Sequence, residues 1–290
     1  MSATLAVSAV PGTGPEFRDD AASRIAALEE YWNGRAGGYD SSVRPPFGHG
    51  GVEFYDDNEW IGLALVRAHE VLGDPSLLTQ AERVFDFVEW GWDRSPGQTC
   101  PGGVFWNRDP RNADRNTVST ANGALLALEL YRATANPHYL RWGSRMYRWV
   151  THCLQGSDGL YADHFDGHGT VDGRTWSYNQ GAMIGTAVRL YQVTGRRMYL
   201  QSAQRLARAA LAHYTADRFA GEPGCFVAIF FRNLGLLSEV APDPAYRAVE
   251  QSYADSLWRS ALDAHTGVVA ESKLLDQAAL VQLYAQLAAA

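Results

Sequence analysis

The sequence predicts an all-α chain whose helical hairpins close into an (α/α)6 toroid lacking its first helix. Three observations lead there. Apolar residues recur at intervals of three and four over long stretches, which is the helical period. Gly, Asp, Asn and Pro gather where those stretches stop. The unit of helix, tight turn and helix repeats about every sixty residues: Leu78 and Leu140 are 62 residues apart, Leu140 and Leu200 60 apart.

Taken in order, helices are expected over 2–10 and 17–33, the first very short. The first full repeat covers 57–72 and 75–90, where Ile61-Gly-Leu-Ala-Leu-Val-Arg-Ala-His69 runs through Gly73-Asp-Pro75 into Leu78-Thr-Gln-Ala81. The second covers 117–134 and 137–154, with Ala124-Leu-Leu-Ala-Leu-Glu-Leu-Tyr131, Asn136-Pro137 and Tyr139-Leu140. The third covers 177–194 and 197–214, with Ile184-Gly-Thr-Ala-Val-Arg-Leu-Tyr191, Thr194-Gly195 and Tyr199-Leu200. A weaker fourth covers 225–239 and 244–261, with Val227-Ala-Ile-Phe-Phe-Arg-Asn-Leu234, Pro242-Asp-Pro244 and Tyr246, and a last helix follows over 272–289. That makes eleven helices, against the twelve of six hairpins. Each hairpin buries a strongly apolar face on its neighbours, so a continuous core forms. Open solenoids use shorter repeats of roughly 34 to 47 residues. Here the surplus lies in long Gly- and aromatic-rich connections over 91–116 and 156–177. They lead from an outer helix into the next inner one and gather on one face, where loops carry function. The whole of 1–290 is expected to form one domain.

Composition narrows the function. The charge of -7, with no block of five like charges, argues against nucleic acid, whose partners carry basic patches. Nine Trp and fourteen Tyr supply flat amphipathic faces for packing or sugar stacking. Cys100, Cys153 and Cys225 are odd in number, widely spaced and without a CxxC pair, which argues against a disulfide framework or a zinc knuckle. No apolar run of about 18 residues exists, so no membrane span is expected. The start, MSATLAVSAVPGTGP, lacks a basic n-region and reads as a helix fragment. The location stays open: a cytoplasmic protein is expected from the start as written, a secreted one if the start is truncated.

The chemistry centres on Phe54-Tyr-Asp-Asp-Asn-Glu-Trp60. One reading is structural: Asp56 followed three residues later by Glu59 makes a capping box with Asp in place of Ser or Thr, and a carboxylate there favours the helix dipole. The other reading is catalytic. Retaining glycosidases need two carboxyl groups about 5–5.5 Å apart, against about 6.5–9.5 Å for inverting ones. Adjacent residues at a helix start meet the shorter spacing. The helix N-terminus keeps one carboxylate ionised, and that charge makes its neighbour hold a proton. Spacing does not say which Asp takes which role.

Five motifs together give a resemblance: Tyr55-Asp-Asp-Asn-Glu-Trp60, Gly102-Gly-Val-Phe-Trp106, Asn116-Thr-Val-Ser119, Trp176-Ser-Tyr-Asn-Gln-Gly181 and Phe230-Phe-Arg-Asn233. In this order, over nearly the whole chain, they resemble glycoside hydrolase family 76, the bacterial endo-α-1,6-mannanase family, whose fold fungal cell-wall transglycosidases share. The resemblance implies an (α/α)6 fold, retention of anomeric configuration and no metal cofactor. It also implies that Asp56 is the nucleophile and Asp57 the general acid/base. The departure is at the start, where the chain begins inside what would be the family's second helix.

Around the pair, the candidate sugar-binding residues are Tyr55, Trp60, Trp106, Asn116, Tyr178, Asn179, Gln180 and Arg232. Trp106 lies in a Gly-rich loop, and the amides of Asn179 and Gln180 offer donors and acceptors to vicinal hydroxyls. Thr117 or Ser119 reads as an N-cap. Arg232 lies in an apolar run and needs a partner. His164 and His168 flank Asp166-Gly167 and read as a turn. Asp163, Asp166 and Asp172 share a loop but match no EF-hand. The expected partner is an oligo- or polysaccharide, bound by a monomer without a cofactor. Asp56 lacks the acidic residue four positions on that a terpene-synthase metal motif requires. His69 and His213 lie too late in their helices for a sugar epimerase. A carbohydrate-binding toroid without catalysis, and a transglycosidase on the same site, stand as alternatives.

Overall fold

The computed structural model describes residues 1–12, 14–260, 263, 266 and 274–289. Six helices form an inner ring: α1 (Ser2–Val7), α3 (Tyr55–Leu72), α5 (Thr117–Thr134), α7 (Ser177–Thr194), α10 (Gly224–Val240) and α12 (Leu274–Ala289). Each packs on the next, and α12 packs on α1, so the ring closes. Five helices run outside it among the described residues: α2 (Arg18–Ala26), α4 (Pro75–Trp90), α6 (Pro137–Cys153), α8 (Arg197–His213) and α11 (Pro244–Ser260). Each lies against the two inner helices it connects. The all-α toroid is therefore present, with α1 completing the inner circle in only six residues.

The inner helices differ from the outer ones as their sequences require. α5 buries thirteen of its eighteen residues, so it is apolar nearly all round. On α7, Gly181 lets α10 approach so closely that a Cβ there would lie 2.7 Å from the Phe230 Cα. Between inner and outer helices the turns are short. Asp74 and Asn136 cap α4 and α6 by accepting from the Ser76 and His138 amides, and Pro75 and Pro137 take the first helical position. The inner helices before them end left-handed, at Gly73 after α3, Gly195 after α7 and, against the usual preference for glycine, Ala135 after α5.

Several expectations need correction. The helix expected over 2–10 stops at Val7. The one over 17–33 stops at Ala26, tightens into a 3-10 turn over Ala27–Tyr31 and enters strand β1 (Trp32–Asn33), which pairs antiparallel with β2 (Gly38–Tyr39). The cause lies on α3, where the Asn58 amide binds both the N–H and the C=O of Tyr39. A short helix α9 (Ala216–Ala220) precedes α10 without having been expected. Residue 261 of one expected helix and residues 272–273 of the last lie outside the described residues.

The long connections are tied to one another. Strands β3 (Arg115–Asn116), β4 (His164–Phe165) and β5 (Val171–Asp172) form one antiparallel sheet spanning both loops. The Arg115 side chain, 1% exposed, donates to the carbonyls of Thr99, Cys100 and Gly102 and lies 3.6 Å from Asp93. Behind it, Trp149 presses so closely on Gly103 that a Cβ there would sit 2.5 Å from the indole. Cys100 and Cys153 form a disulfide that fastens this loop to the end of α6. The cysteine pattern argues against a disulfide framework, yet one bridge forms, because counting cysteines ignores which two the fold brings together. No helix is long and apolar enough to cross a membrane among the described residues.

Candidate active site

The N-termini of the inner helices and the tied loops share one end of the toroid. There α3 begins with Phe54 as its N-cap and no side-chain cap bond, so the expected capping box does not form. Asp56 and Asp57 lie in the first turn, and the Asp56 Oδ1 accepts the Asp57 amide at 3.1 Å. Burial first, and the Asp57 carboxylate second, push the Asp56 carboxyl up to about 7, while nearby N–H groups, including the Trp106 indole, act the other way. Asp57, which is more open to water, is also raised by burial. The free site therefore favours a shared proton resting on Asp56.

A third carboxyl stands beside the pair. Glu59 is 0% exposed, and its carboxylate oxygens make no well-formed hydrogen bond, with only the Gly123 backbone N–H acting on them. Burial, then Asp56 and Asp57, raise its pKa well above the usual range, which leaves it neutral. It fits because α5 carries Gly123 opposite, where an added Cβ would lie 3.1 Å from the Glu59 Oε1. Glu59 follows Asp56 by three residues, the spacing of neighbours on one helix face. That spacing was the signal for a buried acid, and the capping reading hid it.

Trp106, 39% exposed, stands edge-on to Phe54 and aims its N–H at Asp56. Tyr178 stacks on Phe226 at 4.0 Å; burial, then Asp163 and Asp56, raise its phenol. Asp163 accepts from the Asn179 amide at 3.1 Å and pairs with His164 Nδ1 at 3.1 Å. Arg174 binds Asp172 at 2.7 Å and reaches Asp163 at 3.8 Å. Asp163, His164 and Asp172 have atoms within 4.8 Å of one another and could hold a metal ion. Asp166 and His168 are not in that group, because Asp166 closes its own turn on the His168 and Thr170 amides.

The structure does not bring every candidate to this cleft. Tyr55 is 2% exposed and stacks on Phe87, so its ring belongs to the core. Gln180 is spent on the backbone: its amide binds both the N–H and the C=O of Tyr161. It is the fourth residue of α7, as Asn58 is of α3 and Thr120, which accepts the Val104 amide, is of α5. These three inner helices thus clamp a loop from the same position. Asn116 and Asn179 are buried, each with an unpartnered Oδ1. Thr117 donates to the Ala162 carbonyl and Ser119 is buried, so neither caps α5, whose N-cap is Asn116. At the start of α7 the cap comes from Glu222, which accepts from the Ser177 amide and hydroxyl, and nothing in the sequence signalled it.

Trp60 lies one turn below Asp56, and the Arg232 guanidinium sits 5.2 Å from its ring centre. Burial pulls Arg232 down to about 10. Arg232 also lines a cavity of about 810 Å³ that opens among Glu70, Glu129, Arg189 and Gln286, toward the C-terminal ends of the inner helices. Arginines there meet the negative ends of the helix dipoles. The carboxyl pair lies at the other end, so the structure places Arg232 at this cavity and against Trp60, not beside the pair.

The family model for Glycosyl hydrolase family 76 matches residues 30–284. The chain is 28% identical over 233 residues to the mannan endo-1,6-alpha-mannosidase DCW1 of Candida glabrata, a match covering 70% of this chain and 51% of that protein. The chain thus spans about half the length of the curated relatives it matches. Among solved structures it is similar to the family 76 mannosidase Bt3792 from Bacteroides thetaiotaomicron, with TM-score 0.85 and 25% identity over 99% of this chain and 84% of that one. It is also similar to the α-1,6-mannanase GH76A of Salegentibacter sp. HEL1_6, with TM-score 0.70 and 25% identity over 81% of this chain and 75% of that one. A variant of that mannanase with two adjacent aspartates replaced is described as inactive and holds α-1,6-mannotetrose.

Proposed function

The chain belongs to glycosyl hydrolase family 76, and from that premise we propose that it is a retaining glycoside hydrolase cleaving α-1,6-linked mannan by double displacement, acting as one catalytic domain. The observation that carries the reading is the adjacent carboxyl pair at the start of α3, with a proton held on it near neutral pH and Trp106 and Tyr178 beside it. Adjacent carboxyls suit the shorter spacing of retaining enzymes rather than the wider one that inverting enzymes need to admit a water.

In this mechanism Asp57 protonates the glycosidic oxygen while Asp56 attacks the anomeric carbon and forms a glycosyl-enzyme ester. Water, losing its proton to Asp57, then attacks the same carbon and releases Asp56. A sugar hydroxyl in place of that water gives transglycosylation. The free site favours the proton on Asp56, so substrate binding has to pass it to Asp57, the more open of the two. The activity of the Salegentibacter mannanase and the mannotetrose it holds favour α-1,6-mannan over other glycans.

The test follows α-1,6-mannan with the purified protein and with Asp56→Asn and Asp57→Asn. Wild-type release of reducing ends with retained configuration, lost in both variants, is the expected result. A 2-fluoro-mannoside should label Asp56; a label on Asp57 exchanges the two roles. Wild-type protein that binds mannan without cleaving it overturns the catalytic reading in favour of a binding toroid.

A further inference from the structure

We propose that Trp90 and Arg108 form a second pyranose platform on the rim of the loop face, taking a sugar unit of the polysaccharide beyond the carboxyl pair. The inference rests on the α-mannan reading above and extends it outward.

Trp90 closes α4 and is 62% exposed. Outer helices run opposite to inner ones, so its end of α4 opens on the face where α3 begins. The ring is nevertheless held. The Arg108 guanidinium lies 4.7 Å over its centre, leaving the other face open. Arg108 is itself fixed: its amide donates to the Glu53 carbonyl at 3.0 Å and its guanidinium lies 3.6 Å from the Glu53 carboxylate. Glu53 in turn accepts from the Asn33 amide at 2.9 Å. At the end of α4, Arg94 binds the carbonyls of Glu89 and Trp90 and fixes the backbone that carries the ring.

The position follows from the backbone. The Tyr55 amide donates to the Trp106 carbonyl and the Arg108 amide to the Glu53 carbonyl, so residues 106–108 run antiparallel to 53–55, directly ahead of Asp56. Trp106 and Arg108 are two residues apart on this extended segment, about 7 Å. A path from Asp56 past Trp106 therefore meets the Trp90–Arg108 pair next, within the length of a short oligosaccharide.

The chemistry suits a sugar. The C–H face of a pyranose packs on an indole, here on the face opposite the guanidinium that holds the ring. A ring already fixed loses little freedom when the sugar arrives. A lone exposed tryptophan needs no explanation, but one held by a relay of cation, carboxylate and amide is built to keep its open face in one place.

The experiment measures affinity for polymeric α-1,6-mannan and for α-1,6-mannotriose, in wild type, Trp90→Ala and Trp90→Phe, by affinity electrophoresis and titration. The expected result is that Trp90→Ala lowers the ratio of polymer to trisaccharide affinity by roughly fivefold, as loss of one aromatic contact would, and that Trp90→Phe restores part of it. An unchanged ratio in Trp90→Ala, with wild type still cleaving mannan, overturns this inference alone. Wild type that neither binds nor cleaves mannan overturns both it and the function it rests on.

Discussion

Replacing Asp56 by Asn should stabilise the protein at alkaline pH while abolishing its activity. Asp56 ordinarily titrates at 3.8, and burial with Asp57 beside it raises that to about 7. Below the ordinary value both folded and unfolded chains hold the proton, and the group has no effect on stability. Between 3.8 and about 7 the unfolded chain releases the proton and the folded one retains it, so stability falls as pH rises through this window and then levels off. About three units at about 1.4 kcal/mol each set a ceiling near 4 kcal/mol, and sharing of the proton with Asp57 makes roughly 2–3 kcal/mol the working figure. Asn carries no charge and escapes this cost. For a chain of this size about 2 °C accompanies each kcal/mol, so Asp56→Asn should melt about 5 °C above wild type at pH 8, and the gap should close by pH 4. Thermal denaturation across that range, beside a mannan assay, reads both effects. A variant no more stable than wild type at pH 8, or a gap as large at pH 4, would refute the argument that burial holds the proton there.

Other outcomes follow from the same structure. Glu59→Gln keeps the volume of a neutral side chain but cannot ionise, so its stability should fall less than that of wild type on the alkaline side, read by the same melts at pH 7 and pH 9. Reducing the Cys100–Cys153 bridge, whose ends are 53 residues apart, should lower stability by about 2–4 kcal/mol, the loop-closure entropy of such a cross-link, measured by urea unfolding with and without dithiothreitol. Ala135→Gly relieves a left-handed alanine at φ 57 and should raise stability by up to about 1 kcal/mol, provided the added freedom of the unfolded chain does not offset it.

The helices of the repeats were legible because α3, α5, α7 and α10 are long, periodic and followed by Asp-Pro, Asn-Pro or a glycine. The ends of α4, α5, α7 and α8 fall within a residue of where the periodicity placed them. It failed where side chains from a distance decide the backbone. The Asn58 amide draws residues 32–39 into a hairpin that no local propensity announces. The cleft was half legible. Asp56, Trp106 and Tyr178 come together as their motifs suggested. Tyr55 and Gln180 occur in the same motifs yet face the core, since a motif records proximity along the chain and not direction. The capping pattern hides Glu59 as a buried acid, and nothing local in its loop sets Asp163 beside Asn179 and Tyr178.

The disulfide also sets a sorting problem for the chain as it forms. Three cysteines allow three single bridges: Cys100–Cys153, Cys153–Cys225 and Cys100–Cys225. Their separations are 53, 72 and 125 residues. In an unguided chain closure probability falls as about the three-halves power of loop length, so the native bridge takes about half of first encounters, where blind choice would give it a third. The spacing of the cysteines alone biases oxidation toward the bridge that fastens the Trp106 loop, and replacing Cys225 by Ser would remove both competitors at once.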